Sequence, residues 1–195
     1  MSDKLNLVLF GPPGAGKGTQ SEKIIEKYKL THLSTGDLFR KHLGEGTNLG
    51  KQAQAFMDNG KLVPDELVIE MVRQKLTENN EGNGYIFDGF PRTVAQATAL
   101  DNLLESLDDS ITLTIALEVD EEELKKRLLE RGKTSGRADD QNEEKINTRI
   151  KVYMDETLPV ADYFDNQKKF YPVKGMGTID DIFNRICQAI DAKIK

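Results

Sequence analysis

The clearest chemical signature is a glycine-rich segment at residues 11–19, GPPGAGKGT, which we call the phosphate loop. It separates an apolar run from a segment of helical period, so its backbone N–H groups, the start of the helix and Lys17 would converge on an anion. The last position of G-x-x-x-x-G-K-[ST] is altered, because Gly18 stands where a hydroxyl residue normally binds Mg²⁺, and Thr19 comes one step later. The segment predicts a polyphosphate cradle, with a plain turn as the alternative.

A second segment, residues 85–93, places an acid at the end of an apolar run. Asp88 would lie at the carboxyl edge of a buried parallel strand, where it could order Mg²⁺ through water. A helix cap is the alternative, although Gly89 and Pro91 oppose an immediate helix. Arg92 follows this turn, and its planar guanidinium suits two phosphate oxygens.

A third segment, residues 33–40, contains both a capping pattern and an arginine. Ser34 and Asp37 have the S-x-x-D spacing of a capping box, so this segment predicts the start of a helix. Arg40 falls one turn into that helix. A surface salt bridge and a ligand contact are equally compatible with its position.

Four arginines surround a polar, glycine-flanked stretch at residues 132–136. Arg127 and Arg131 share one helix face before it, Arg137 closes it and Arg149 follows. These cations would repel one another unless an anion lies between them. We therefore favour ligand binding over a solvated helix face, and we predict that the stretch is a mobile flap.

Other kinds of chemistry find little support in the sequence. His32 and His42 have no carboxylate or thiol pattern around them, and no Ser-His-Asp order or paired-carboxylate site is present. The single cysteine, Cys187, excludes an intrachain disulfide and follows the apolar spacing of a helix core. The formal net charge of −6 argues against a nonspecific nucleic-acid or membrane surface.

The elements that must position these residues follow an alternating pattern. The chain has 195 residues, 37% hydrophobic and 31% charged, which suits one globular domain. Apolar runs alternate with segments of helical period, which predicts an α/β fold around a parallel sheet covered on both faces. The predicted strands are residues 5–10, 31–34, 85–87, 111–119 and 169–173.

Helix boundaries can also be predicted. Helices should begin at Pro64-Asp65, run over residues 121–131 up to Gly132, and fill residues 179–194 with an apolar core face. Residues 35–84 contain several glycines between helical segments and predict a small lobe. The apolar runs are too short to span a bilayer and residues 1–4 lack a secretory apolar stretch, so we expect a cytoplasmic protein. No exposed apolar helix stands out, so we expect a monomer.

Taken together, these motifs resemble the adenylate kinases in order and spacing over nearly the whole chain. The matching segments are residues 11–19, 33–40, 60–63, 88–93 with Gln96, 127–131 and 135–140. The resemblance is to the short-lid form of this nucleoside monophosphate kinase family. It implies a three-layer P-loop fold with a five-stranded parallel sheet, a helical NMP-binding lobe at residues 34–63 and a short lid at residues 131–141.

The resemblance implies reversible transfer of the terminal phosphoryl group of ATP to AMP, giving two ADP, with Mg²⁺ as cofactor. The implied catalytic residues are Lys17, Arg92, Arg131, Arg137 and Arg149. The implied ATP site comprises Gly14, Ala15, Gly16, Lys17, Gly18, Thr19, Arg127, Arg131 and Gly177. The implied AMP site comprises Thr35, Arg40, Lys61, Leu62, Val63, Gly89, Phe90, Pro91, Arg92, Gln96, Arg137 and Arg149.

Some of the implied roles are more specific. Gln96 would read the adenine edge, Arg127 would stack on the ATP base, and Asp88 would contact the metal through water. Asp139 and Asp140 resemble lid-hinge acids.

The sequence departs from the family pattern in two places. One residue more than the commonest spacing separates Asp140 from Glu143, which affects the assignment of Arg149. The long zinc-binding lid of some relatives is absent, so no structural zinc is expected.

Two other functions remain as alternatives. A UMP/CMP kinase is the first, although such relatives tend to carry Ala at the position of Thr35 and Asn at those of Thr93 and Gln96. A nucleotide-binding switch without an acceptor site is the second, although no N-K-x-D guanine signature occurs. We expect ATP, AMP and ADP as partners, with neither nucleic acid nor membrane.

Overall fold

A computed structural model describes residues 4–78 and 82–194. Residues 1–3, which contribute to the prediction that no secretory segment is present, and residues 79–81 of the predicted lobe lie outside the described part. The described strands are β1 Leu7–Phe10, β2 Thr31–Ser34, β3 Tyr85–Asp88, β4 Leu113–Glu118 and β5 Phe170–Lys174. The described helices are α1 Lys17–Tyr28, α2 Thr35–Gly44, α3 Asn48–Met57, α4 Asp65–Thr77, α5 Val94–Glu105, α6 Glu121–Gly132, α7 Glu143–Val152, α8 Pro159–Asn166 and α9 Ile179–Lys193.

The five strands form one parallel sheet in the order β2-β3-β1-β4-β5, which confirms the predicted fold class. β1 is central, and its Leu9 pairs in register with Asp88 of β3 and Ile115 of β4. The carboxyl ends of β1, β2 and β3 therefore meet at one edge, with the phosphate loop directly after β1.

Both faces of the sheet are buried. Successive β1 side chains point to opposite faces, so Leu7 and Leu9 pack in one cluster with α1 and α9 while Val8 and Phe10 pack in the other. This arrangement gives three layers. Cys187 of α9 is buried, as its apolar spacing predicted.

β1 and β4 begin later than predicted because of a buried asparagine. Asn6 is fully buried, and its side chain donates to Asp109 Oδ1 (2.7 Å) and the Ser110 carbonyl (3.0 Å) and accepts from the Tyr85 N–H (3.0 Å). These bonds join the loops before β3 and β4 at the amino edge of the sheet. The regular ladder therefore begins at Leu7 in β1 and Leu113 in β4.

The helices around the predicted lobe and the predicted flap follow the expected order along the chain. α2 and α3 lie between β2 and α4, and α4 begins at Asp65 directly after Pro64. α6 ends at Gly132, as predicted. Residues 133–137 then form a turn that leads into a short 3-10 helix, Ala138–Asp140. A π-helical turn, Tyr153–Thr157, joins α7 to α8. None of the helices in residues 4–78 and 82–194 has the length and apolarity needed to cross a membrane.

Candidate active site

The phosphate loop curls because three of its glycines adopt positive φ angles. Gly11, Gly14 and Gly16 have φ values of 147°, 84° and 93°. A Cβ on Gly14 would also lie 2.9 Å from Leu128 Cγ, so the loop packs tightly against α6. Gly16 is the N-cap of α1 and supplies no side chain to the free N–H groups of the helix, which leaves them available to an anion.

Lys17 lies in the middle of this loop. Its Nζ donates to the carbonyls of Gly11 (2.7 Å) and Pro12 (3.1 Å). Burial is the main cause that lowers the pKa of Lys17 to about 8; the nearby Asp88 carboxylate opposes the change, and neighbouring arginines, with Arg92 first among them, add to it. The ammonium therefore lies in a cationic site that disfavours its own charge.

Asp88 ends β3 beside the phosphate loop, where the sequence predicts it. Its side chain is 12% exposed, 3.4 Å from the Ser21 hydroxyl and 3.7 Å from His32 Nε2. The helix-cap alternative is wrong, because Thr93 is the residue that caps α5. Among residues 4–78 and 82–194, no group of three or more His, Cys, Asp or Glu side chains could hold a metal ion.

A turn after Asp88 positions Arg92. Gly89 has a φ of 73°, its carbonyl accepts from Arg92 Nε (2.7 Å) and from the Thr35 hydroxyl (2.8 Å), and the Phe90-Pro91 peptide bond is cis. A Cβ on Gly89 would lie 2.9 Å from Arg92 Nη2, so the guanidinium occupies space that only glycine leaves open. Burial is the main cause that lowers the pKa of Arg92 to about 10; Arg149 also lowers it, while Asp88 opposes the change.

Gln96 lies one helical turn after Arg92 and is 1% exposed. Its Oε1 accepts the Arg92 backbone N–H (2.7 Å), and its Nε2 donates to Asp65 Oδ1 (2.8 Å). The Thr93 hydroxyl donates to Asp65 Oδ2 (3.0 Å) and accepts from the Gln96 N–H (3.1 Å). Sequence reasoning missed Asp65; its only signal was an acid in the first turn of α4, and it contacts α5 across 31 residues of chain.

Three of the predicted arginines extend from α6, the flap and α7 towards the same space. Arg131 makes a two-pronged contact with Asp140, with Nε to Oδ2 at 2.6 Å and Nη2 to Oδ1 at 3.0 Å. Arg149 Nη1 contacts both Asp140 Oδ1 and Asp139 Oδ2, the latter at 2.9 Å. Burial and the adjacent Arg40 and Arg131 lower the pKa of Arg137 below its ordinary value.

Asp140 holds two of these arginines, and its carboxylate is fully buried. The resemblance implies a lid-hinge acid at this position, and the structure adds that Asp140 joins α6 to α7 through Arg131 and Arg149. Burial lowers the pKa of Arg149 while Asp139 and Asp140 raise it.

Arg40 forms the surface salt bridge that one interpretation predicts, and its position at the cleft is compatible with the other. Ser34 caps α2 by accepting the Asp37 N–H (3.3 Å), as the capping pattern predicts. Arg40 forms an ion pair with Asp37, and it also faces the cleft between α2 and the sheet.

Arg127 lies at the other end of the site. Its Nε pairs with Glu123 (2.8 Å) on the same face of α6, and its Nη2 donates to the Gly175 carbonyl (3.3 Å). The loop after β5, which includes Gly177 with a φ of 112°, therefore passes close to this guanidinium.

The predicted residues enclose two connected spaces. A cavity, which we call the acceptor cavity, is bounded mainly by α2, residues 60–63, the turn after Asp88 and Gln96. The predicted residues lining it are Thr35, Arg40, Lys61, Leu62, Val63, Gly89, Arg92, Gln96 and Arg149. Phe90 and Pro91 line an adjoining space with Lys17.

A larger cleft, the donor cleft, follows the phosphate loop. The predicted residues lining it are Gly14, Gly16, Lys17, Gly18, Thr19, Arg40, Asp88, Gly89, Arg92, Arg127, Arg131, Arg137 and Arg149. The guanidinium-bearing residues Arg40, Arg92 and Arg149 line both the donor cleft and the acceptor cavity. Arg137 lines the donor cleft and is not among the residues around the acceptor cavity. Ala15 turns its side chain into the core, and its N–H bonds to the Pro12 carbonyl (3.1 Å).

Comparisons with known proteins agree with this geometry. A family model described as adenylate kinase matches residues 9–169. The chain is 56% identical to an adenylate kinase of Flavobacterium psychrophilum and 56% identical to one of Flavobacterium johnsoniae, in each case over 96% of this chain and 98% of the relative. It is 50% identical to an adenylate kinase of Bacteroides thetaiotaomicron over the same shares of the two chains. The chain belongs to the adenylate kinase family.

Proposed function

We propose that this protein transfers the terminal phosphoryl group of ATP reversibly to AMP, giving two ADP, where the donor cleft meets the acceptor cavity. The observation that carries the proposal is that Arg92 and Arg149 line both spaces. A phosphoryl group moving from one nucleotide to the other would pass between these two guanidiniums.

On the donor side, the phosphate loop would hold the ATP phosphates. The N–H groups at the start of α1 and the Lys17 ammonium supply the positive charge. Arg127, held between Glu123 and the Gly175 carbonyl, would stack on the adenine, with the backbone around Gly177 on the other side.

On the acceptor side, Arg40 and Arg92 would bind the AMP phosphate. Residues 61–63 and the turn at residues 89–91 would enclose the nucleoside, and Gln96 would read the base. Thr35 contributes indirectly, because its hydroxyl holds the Gly89 carbonyl.

Phosphoryl transfer needs little covalent help from the protein. It requires the attacking and leaving oxygens in line and neutralisation of the charge that passes between them. This requirement accounts for a site that is rich in cations and has no activated nucleophile. A single arginine directed at the transition state can contribute roughly 10³ to 10⁵ in rate in phosphate-loop enzymes.

In the free protein the carboxylate of Asp140 occupies Arg131 and Arg149. Arg149 also contacts Asp139, and both arginines line the donor cleft. Burial is the main cause that lowers the pKa values of Arg137 and Arg149, and neighbouring arginines add to it, so bound phosphates would stabilise the charged guanidiniums. Phosphate binding and protonation of the arginines would therefore favour each other.

Magnesium fits the donor set without a protein cage. Asp88 presents carboxylate oxygens at the end of β3, and the Thr19 hydroxyl lines the same cleft. Both would contact the ion through its water shell, while ATP supplies direct oxygen ligands. The ion would neutralise phosphate charge, and the protein residues would orient its waters.

Closure would exclude water as a competing acceptor. Gly60 of the lobe lies against α7, since a Cβ there would be 3.2 Å from the Lys145 carbonyl and 2.7 Å from Arg149 Cγ. We propose residues 34–63 as the AMP-binding lobe and residues 131–141 as the lid, both closing before transfer. We also expect a cytoplasmic monomer, on the sequence grounds given above.

A coupled assay with AMP, UMP or CMP as acceptor tests this function. Arg92→Ala should lower turnover of ATP plus AMP by roughly 10³-fold or more. Arg73→Ala is the matched control, since Arg73 is exposed on α4 and pairs only with Glu70 in the described contacts, and it should keep the unaltered rate.

Turnover that is unchanged in Arg92→Ala would contradict the proposal. Preference for UMP or CMP would point to the pyrimidine alternative. ATP binding with no acceptor-dependent turnover would point to a nucleotide-binding switch.

A further inference from the structure

The Gln96 amide has a fixed direction in this structure. A backbone N–H can only donate and a carboxylate can only accept, so the Arg92 N–H requires Oε1 and Asp65 requires Nε2. Rotating the amide by half a turn would set its NH₂ against the Arg92 N–H and its oxygen against the Asp65 carboxylate. Both hydrogen bonds would be replaced by repulsive contacts at a glutamine that is 1% exposed.

Asp65 is itself held in place. Its second oxygen accepts from the Thr93 hydroxyl (3.0 Å), which is directed there because its oxygen already accepts the Gln96 N–H. This hydrogen-bond network therefore begins at backbone N–H groups and ends at the Asp65 carboxylate. Within the network, Asp65 is the one side chain that can accept hydrogen bonds but cannot donate them.

This direction matters for the base that Gln96 would meet. Each amide atom keeps one further hydrogen-bonding position, because the oxygen has two lone pairs and the nitrogen has two hydrogens. The Watson–Crick edge of adenine presents a donor, the 6-amino group, beside an acceptor, N1. The edge of hypoxanthine presents the reverse, an acceptor O6 beside a donor N1–H. Only adenine complements an amide that cannot turn.

We propose that Asp65 is a positioning residue that fixes the direction of the Gln96 amide and thereby makes the acceptor cavity select 6-aminopurine over 6-oxopurine monophosphates. The inference rests on the proposed function, in that Gln96 faces the acceptor base. It adds a residue on α4, outside the loops that surround the nucleotide, as the source of the selectivity.

The unaltered protein provides the first test. Three acceptors are compared by kcat/KM with ATP: AMP, IMP and purine riboside 5′-monophosphate, which keeps N1 and has only hydrogen at position 6. If the Gln96 amide is fixed, IMP should be a poorer acceptor than purine riboside monophosphate. In IMP, O6 would face the amide oxygen and N1–H would face the amide NH₂, so both contacts are repulsive. In purine riboside monophosphate, the hydrogen at position 6 only leaves the amide oxygen without a donor. Equal values for these two acceptors would overturn the proposal.

The variant Asp65→Asn provides the second test. Asparagine can donate or accept, so the reversed Gln96 amide regains one partner. The ratio of kcat/KM for AMP to that for IMP should fall roughly tenfold, within the range expected for losing part of a two-bond base contact. The change should fall on the KM of the monophosphate and leave the KM of ATP as it was.

Two further variants separate selectivity from charge and folding. Glu66→Gln removes the neighbouring exposed acid from the same first turn of α4 and should leave the AMP to IMP ratio unchanged. Asp65→Glu keeps an acceptor-only group and should preserve the preference for AMP. An Asp65→Asn ratio equal to that of the unaltered protein would overturn the proposal, as would equal losses with AMP and IMP.

The experiment also distinguishes this inference from the proposed function. Absence of AMP-dependent turnover in the unaltered protein would refute the function itself. An active, AMP-selective protein whose selectivity survives Asp65→Asn would refute only the role of Asp65.

Discussion

The low pKa of Lys17 predicts that ATP binding is coupled to proton uptake. Burial and the surrounding arginines lower this pKa to about 8 in the free protein, so about half of the Lys17 side chains are neutral at that pH. A bound triphosphate stabilises the ammonium and should return the pKa towards its ordinary value of about 10.4. Binding at about pH 8 should therefore take up about half a proton per ATP.

The direction of the pH dependence follows from the protonation state of Lys17 that binds ATP. The free protein loses its Lys17 proton as pH rises through about 8, whereas the complex keeps it, so the affinity for ATP should decrease with rising pH. Between about pH 7.5 and about pH 9.5 the dissociation constant should rise about twentyfold. This window lies above the titration of the terminal phosphate, at about pH 6, and below the pKa of Arg92, which is about 10.

Calorimetry measures both effects. Titration of MgATP into the protein at about pH 8, in two buffers of different ionisation enthalpy, gives the number of protons taken up. Lys17→Arg is the control, because its guanidinium keeps the charge and does not titrate in this window; its dissociation constant should stay flat across it. Zero proton uptake in the unaltered protein, or the same pH slope in Lys17→Arg, would refute the reasoning.

Two other changes test how the cleft is assembled. Asp140→Asn should lower the free energy of unfolding by about 3 kcal/mol, because two guanidiniums lose a buried carboxylate. Denaturant titration measures this loss, and it should be much smaller for Asp139→Asn, because Asp139 is more exposed. Equal losses in the two variants would contradict a special role for Asp140. Gly60→Ala should raise the KM of AMP about tenfold, because its φ of 69° and its contact with α7 leave no room for a Cβ. An unchanged KM would show that Gly60 does not contact α7 in the closed form.

Much of the fold could be predicted from the local pattern. The alternation of apolar runs and helical segments predicts a buried parallel sheet, and both the α4 start at Asp65 and the α6 end at Gly132 follow from local chemistry. The order of the strands in the sheet could not be predicted from the residue pattern, because it depends on how distant segments of the chain pack against one another. Asn6 also could not be predicted as the residue that delays β1, because its partners lie about 80 and 100 residues away.

The candidate site also contains residues that a local motif predicts and residues that only tertiary contacts reveal. Lys17, Asp88 and the arginines lie in motifs whose spacing carries their chemistry, so a sequence can point to them. Asp65 holds Gln96 across 31 residues of chain, and no local pattern marks it. Asp140 lies in a recognisable segment, but its contact with Arg131 is tertiary and could not be predicted from that segment. Their functions become visible only when hydrogen-bond partners are known.

The central claim is that Arg92, Arg131, Arg137 and Arg149 converge on phosphates that join two bound nucleotides. The most direct test is a crystal structure with two adenosines linked by five phosphates. We predict one adenine beside Arg127 and the other beside Gln96, with the four guanidiniums within hydrogen-bond distance of the phosphate chain. Guanidiniums that point to solvent, or that stay paired only with Asp139 and Asp140 while the phosphates lie elsewhere, would contradict the account.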